Sequence, residues 1–141
     1  FNARFGDPET EAVLPRLDGD FASLLLHVAT GCLKDSDVTV KPEAAATVII
    51  SSGGYPGDYE KGKVIKGLAE AAKVQGATVF HCGTKSADGE VLTDGGRVLS
   101  VTGMGGTLRE AVDPASRAVA AISFEKAFFR RDIAHRAFER N

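Results

Sequence analysis

Cysteine is scarce in this chain, neither sign of charge dominates, and no apolar stretch is long. Only two cysteines occur in 141 residues, Cys32 and Cys82. They stand far apart and form no CxxC pair. That excludes a disulfide scaffold and suits free thiols in a reducing compartment, so the expected setting is cytoplasmic; pairing of the two stays open as the alternative. The three histidines, His27, His81 and His135, have no metal-ligand spacing to one another or to either cysteine, so no zinc site is expected. The formal net charge is -2, which gives no electrostatic case for nucleic acid or an anionic membrane as partner. No uninterrupted apolar run approaches the roughly 20 residues of a membrane span. Arg4, Asp7, Glu9 and Glu11 break up the start, where no secretory signal peptide is read. The first residue is Phe1 and not Met, as expected of a processed chain or of a piece of a longer one.

What is present is an ordinary globular mixture. Hydrophobic residues make up 43% and charged residues 26%, enough for one domain with a modest core. Alternation over Phe1–Phe5 predicts a short strand. Asp7-Pro8-Glu9 predicts a helix start, with Asp7 as cap and Pro8 at the first helical position. Pro15 and Gly19 should interrupt that helix. It resumes from Asp20 with Phe21, Leu24, Leu25 and Val28 on one face and stops at Gly31. Residues 32–45 are polar, contain Pro42 and read as a connection at a domain boundary. Strands are predicted over Ala46–Ser51, Ala77–Cys82 and Arg97–Thr102, with a hairpin at Asp88-Gly89. A helix is expected from Ile65 to near Gly76. Gly103-Met104-Gly105-Gly106 reads as a flexible run. Thr107 and Glu110 form a capping-box pattern for a helix carrying Leu108, Ala111, Val112, Ala115, Val119 and Ile122, with a kink or break at Pro114. In the tail, Phe128, Phe129 and Ile133 are placed for packing. The order is a strand and helix, a linker, then a mixed α+β module.

Four stretches carry chemistry. In FNARFGDPE, Asn2 and Arg4 lie two apart on the predicted strand and so share a face. An amide oxygen can ligate a hard cation and a guanidinium can stabilise phosphoryl or acyl-phosphate charge; the alternative is a solvated strand face. In SSGGYPGDYEKGKVI, from Ser51 to Ile65, glycines followed by Lys61 and Lys63 can cradle a phosphate. The GxxxxGK[ST] spacing of a P-loop is absent, and a glycine-rich turn with solvated lysines is the plainer reading. The third stretch, FHCGTK…DGGRVLSVTG, places Arg97 after two glycines at a strand start. The fourth, FFRRDIAHRA, reads as packing aromatics with structural ion pairs among Arg130, Arg131, Asp132 and Arg136.

In the same order and spacing, these stretches resemble those of the phosphoribosylamine–glycine ligases (glycinamide ribonucleotide synthetases) of the ATP-grasp superfamily. FNARFGDPE is similar to the family's Glu-x-Asn-x-Arg strand and its FNxRFGDPE continuation; the chain begins one residue after the position of that glutamate. The SSGGYP…YEKG segment resembles the family's GGYP…YEKG. FHCGTK and GGRVL resemble FHAGT and GGRVL, with Cys82 where alanine is common. The closing segment resembles FYRKDIGxRA, with Ala134 where glycine is usual, so the local turn there is expected to differ. The resemblance implies an α+β fold. Residues 1–33 would be the end of an ATP-grasp domain, a strand plus helix; residues 34–45 a linker; and residues 46–141 a small hybrid-barrel-like C-terminal domain. It implies a reaction of ATP, glycine and 5-phosphoribosylamine with Mg2+ or Mn2+. Asn2 would be a metal ligand and Arg4 would face the reacting acyl phosphate. Arg97, and less directly Lys61, would contact the ribose phosphate, and Asp7 or Glu9 would orient the glycine ammonium. The adenine pocket, the main phosphate loops and the partner glutamate belong to an upstream part. A non-catalytic phosphate-binding fragment or paralogue, and another ATP-grasp carboxylate–amine ligase, remain as alternatives.

Overall fold

The computed structural model of the chain describes residues 3–139. Its centre is a four-stranded antiparallel sheet in the order β4-β7-β3-β8, formed by β3 (Ala44–Ser52), β4 (Ala77–His81), β7 (Arg97–Gly105) and β8 (Ala127–Phe128). The β-branched run that predicted a strand at Ala46–Ser51 lies within β3, paired from Ala44↔Gly105 to Ser51↔Arg97. A hairpin of β5 (Thr84–Ala87) and β6 (Glu90–Thr93) turns at Asp88 and Gly89, both with positive φ, as the Asp-Gly pair predicts. The fold is α+β, with one long helix, α4 (Leu108–Ala121), laid on one face of the sheet.

α4 begins where the sequence places it. Thr107 Oγ1 accepts from the Glu110 N–H, and Glu110 reaches back to the Thr107 N–H, so two otherwise orphaned donors are satisfied. Its buried side chains, Ala111, Ala115, Ala118 and Val119, meet Val48, Ile50, Leu99 and Val101 of the sheet. The helix is continuous through Pro114, against the expected division into two pieces. Pro114 is buried against the Gly76 turn, so its ring gains contacts that offset the hydrogen bond it cannot make.

Three other expectations are corrected. Gly103 to Gly105 are strand, not a flexible run. Here the glycines serve close packing: a Cβ on Gly103 would stand 2.1 Å from the Ala111 carbonyl oxygen of α4. The helix expected from Ile65 is a single turn, α3 (Leu68–Ala71). Gly67, at φ 82°, starts it, and Lys66 instead bridges to Ser123. At the start, residues 3–5 form no strand; Phe1 and Asn2 lie outside the described residues. Helix α1 spans only Thr10–Val13, with Glu9 at its cap position, so neither Asp7 as cap nor Pro8 at the first turn is realised.

The interruption at Pro15 and Gly19 is present, as a 3-10 turn over Leu14–Arg16 and a two-residue strand β1 (Leu17–Asp18) paired with β2 (Thr39–Val40). α2 (Phe21–Thr30) is capped by the Asp20 carboxylate, which accepts from the Ala22 and Ser23 N–H groups, and ends at Gly31 in the left-handed conformation. Its predicted apolar face is only half covered: Phe21 and Leu24 are partly buried, whereas Leu25 and Val28 are exposed. In the tail, Phe129 and Ile133 pack on the core while Phe128 is exposed. Ala134 takes the left-handed conformation itself, at φ 66°, the one glycine adopts most readily. The last helix, α5 (His135–Phe138), follows it.

Candidate functional site

The sheet face turned away from α4 carries Thr47, Ile49 and Ser51 of β3, with Ser100 and Thr102 of β7 opposite. A bulge decides what joins them. The register steps from Ile50↔Leu99 to Ser51↔Arg97, leaving Val98 as the extra residue. Val98 is thereby buried in the core, and Arg97 turns out beside Ser51. Arg97, Thr47, Ile49 and Ser51, together with Pro8, Tyr55 and residues of the C-terminal segment, including Phe128 and Arg130, line a cavity of about 320 Å3.

Asp7 holds Arg97 in that position. Arg97 Nη1 donates to the Asp7 carbonyl oxygen at 3.0 Å, and Nη2 lies 3.4 Å from Asp7 Oδ2. The chain around Asp7 is pinned onto the sheet a turn later, where Thr102 Oγ1 donates to the Glu11 carbonyl at 2.8 Å and also meets Thr47 Oγ1 at 2.7 Å. Two candidates read separately from the sequence, Asp7 and Arg97, are therefore in direct contact, ninety residues apart.

Arg4 lines a neighbouring cavity of about 360 Å3 with Asp7, Thr10, Glu11, Phe80 and His81. Its Nη1 donates to the Phe5 carbonyl at 2.9 Å. Beneath it, Cys82 Sγ donates to Glu11 Oε1 at 3.8 Å, and Glu11 Oε2 is buried with no hydrogen-bond partner among the described residues. Burial, then the negative charges of Asp7 and Glu11, push the Cys82 thiol up to about 11, so it stays protonated and serves as a donor. Both cysteines are free thiols.

Lys61 goes elsewhere. Its ammonium lies 3.7 Å from Asp94 Oδ1, an oxygen shared with Lys85 at 3.8 Å. Lys63 ties Glu60 to Glu125, at 2.6 and 3.0 Å, and Lys126 also reaches Glu60. These pairs hold Glu60 down to about 2, the Lys63 hydrogen bond first and that of Lys126 second. The glycine-rich loop between them is shaped by contact: a Cβ on Gly96 would enter the Tyr55 ring, and one on Gly53 would meet the Lys126 carbonyl at 2.6 Å. Its lysines, Lys61 and Lys63, form ion pairs with nearby carboxylates.

Asn2, the expected metal ligand, lies outside the described residues. Among the described residues no group of three or more His, Cys, Asp or Glu converges as a cation cage. The two carboxylates lining the Arg4 cavity, Asp7 and Glu11, are engaged by Arg97 and Cys82. Hard cations need several oxygen ligands, so the donors described here do not fit a magnesium site by themselves. No helix among the described residues is long and apolar enough to cross a membrane.

Sequence reasoning missed Arg130, Tyr55, Glu11 and Cys82 as neighbours of the candidate residues. Arg130 does form the expected ion pair, its Nε and Nη2 donating to the two Asp132 oxygens at 2.8 and 2.5 Å, and Arg131 lies over the Phe129 ring. Nothing in the local pattern placed Arg130 on the same cavity as Arg97.

Residues 45–136 match the family described as Phosphoribosylglycinamide synthetase, C domain. The phosphoribosylamine–glycine ligase of Nostoc sp. is 47% identical over 138 residues, covering 96% of this chain and 32% of that protein. A bifunctional purine biosynthetic protein of Schizosaccharomyces pombe is 42% identical over 137 residues, covering 97% of this chain and 17% of its own length. Among solved structures, the phosphoribosylamine–glycine ligase of Thermotoga maritima superposes with a TM-score of 0.78 at 34% identity, covering 93% of this chain and 32% of that one. The chain thus spans about a third of the length of the ligases it matches. On sequence and fold alike, it belongs to the phosphoribosylglycinamide synthetase C-domain family.

Proposed function

We propose that this chain is the C-terminal part of an ATP-dependent ligase that joins glycine to 5-phosphoribosylamine in purine biosynthesis, in the cytoplasm. A glycine carboxylate oxygen attacks the γ-phosphorus of ATP and ADP leaves. The amine nitrogen of phosphoribosylamine then attacks the carbonyl carbon of glycyl phosphate, and phosphate leaves, giving glycinamide ribonucleotide. Phosphate is a far better leaving group than a carboxylate oxygen, so the acyl phosphate splits one hard step into two easier ones.

Residues 1–33 are read as the end of the ATP-grasp domain, residues 34–45 as a linker, and residues 46–141 as the hybrid-barrel-like wall of the cleft. Binding of ATP and of Mg2+ or Mn2+ belongs chiefly to an upstream part, to which this chain would add Asn2 as one ligand. The residues here bind and orient. Arg97 takes the ribose phosphate by charge-assisted hydrogen bonds. Arg4 faces the charge that develops on the acyl phosphate. Asp7 accepts the glycine ammonium with lone pairs that Arg97 leaves over, since a carboxylate offers about four acceptor positions. Lys61, paired with Asp94, is the weaker phosphate candidate.

The observation that carries this reading is the Arg97–Asp7 contact at the edge of a cavity: a guanidinium positioned in advance has less order left to gain on binding an anion. The test is to let this chain replace the corresponding third of the Nostoc sp. ligase and to follow ADP release from ATP. Turnover requiring both glycine and freshly generated phosphoribosylamine is expected. A chimera that still binds ATP yet releases no ADP with this pair overturns the assignment and favours a phosphate-binding module without catalysis.

A further inference from the structure

Two arginines line the cavity over β3, and the reading above uses only one. Arg130 lines it together with Arg97, from the segment that follows β8. Its placement is built. β8 pairs Ser51↔Phe128 and Ser52↔Ala127, and Phe129 and Ile133 on either side of Arg130 pack against the core. Asp132 grips the guanidinium through Nε and Nη2, which leaves Nη1 unused by that grip. Arg97 is held by Asp7 in another manner, with Nη1 on its carbonyl oxygen and Nη2 near its carboxylate. A guanidinium carries five N–H donors in a fixed fork, so each keeps donors to spare once its carboxylate is served.

The walls suit a small phosphorylated ligand. Thr47 and Ser51 supply hydroxyls, and Tyr55 and Phe128 supply flat faces. The volume, about 320 Å3, is at the lower end of small-molecule sites. The apolar share of the lining lowers the local dielectric and strengthens each charged hydrogen bond.

We infer that Arg130 is a second phosphate anchor, so that Arg97 and Arg130 clamp the phosphate monoester of a sugar phosphate between them, with Asp132 positioning Arg130. The inference rests on the reading of Arg97 as a phosphate contact and adds the residue that completes the site. One guanidinium attracts any anion. Two held on one cavity select a group with several oxygens and a double negative charge, and they disfavour the unphosphorylated sugar.

The probe is ribose 5-phosphate titrated calorimetrically into the chimeric ligase, with ribose and inorganic phosphate as controls. Arg97→Met and Arg130→Met should each weaken ribose 5-phosphate binding by about tenfold or more, the value of a charge-assisted hydrogen bond, while ribose binds detectably to none of the proteins. Arg130→Lys keeps the charge and the aliphatic stem but loses the fork. It covers the case in which the methionine variant melts early, and it should weaken binding severalfold. Full-strength binding by the Arg130 variants beside a weakened Arg97→Met overturns the clamp and leaves the Arg97 reading standing. Binding that neither position affects, or none by the unmodified chimera, overturns both.

Discussion

Asp7 and Cys82 show how much a residue's role depends on what the fold brings to it. The sequence around Asp7 reads as a helix cap, yet the helix begins at Thr10 and the carboxylate turns to Arg97. Cys82 reads as a structural thiol, and it is one that donates to Glu11. A raised thiol pKa means less thiolate at any given pH below it, and the thiolate is the reactive form. Cys32, exposed on the surface, should therefore be alkylated by iodoacetamide at pH 8 much faster than Cys82, whose labelling should rise steeply only as the pH nears 11. Mass spectrometry of the labelled chain checks this; equal rates at pH 8 would contradict the buried donor role. The chemistry of Arg97 was legible because it follows two glycines at a strand start. That it faces the cavity was not, because its orientation depends on the bulge at Val98, which the strand's own alternation does not announce.

Secondary elements with local causes were legible: the capping box of α4, the Asp-Gly hairpin, and α2 between Asp20 and Gly31. Elements whose causes are tertiary were not. The glycines at 103 and 105 look like a loop from their neighbours in sequence, but they are strand because α4 lies close enough to exclude a side chain. Pro114 looks like a break, but it is accommodated inside a helix that rests on the sheet. The close approach gives a direct prediction. Gly103→Ala puts a methyl group against the Ala111 carbonyl and the Ala115 amide, backbone atoms that move only if α4 moves. Overpacking of this kind costs about 1–3 kcal/mol, so the urea midpoint should fall with the slope unchanged. An unaltered midpoint would show that the helix is not seated on β7 as described.

Across the molecule, apolar cover is uneven. The α4 face of the sheet is closed over a core in which Val98, Leu99 and Val101 are fully buried, whereas Leu26 and Val28 of α2 are 60% and 55% exposed. Leu25 of α2 and Val40 of β2 are likewise left exposed by the residues described. The order of motifs made the family resemblance legible along nearly the whole chain. The three-dimensional site was less so, since it is assembled from residues near positions 7, 50, 97 and 130, and no local pattern gives the distances between them. The central claim is that Arg97, held by Asp7, receives the ribose phosphate. The measurement that meets it most directly is the Michaelis constant of the chimeric ligase for each substrate, with and without Arg97→Met. The account predicts a rise of about tenfold or more for phosphoribosylamine, with the constants for glycine and ATP unchanged. A constant for phosphoribosylamine that does not move, or a loss that falls on glycine or ATP instead, would contradict it.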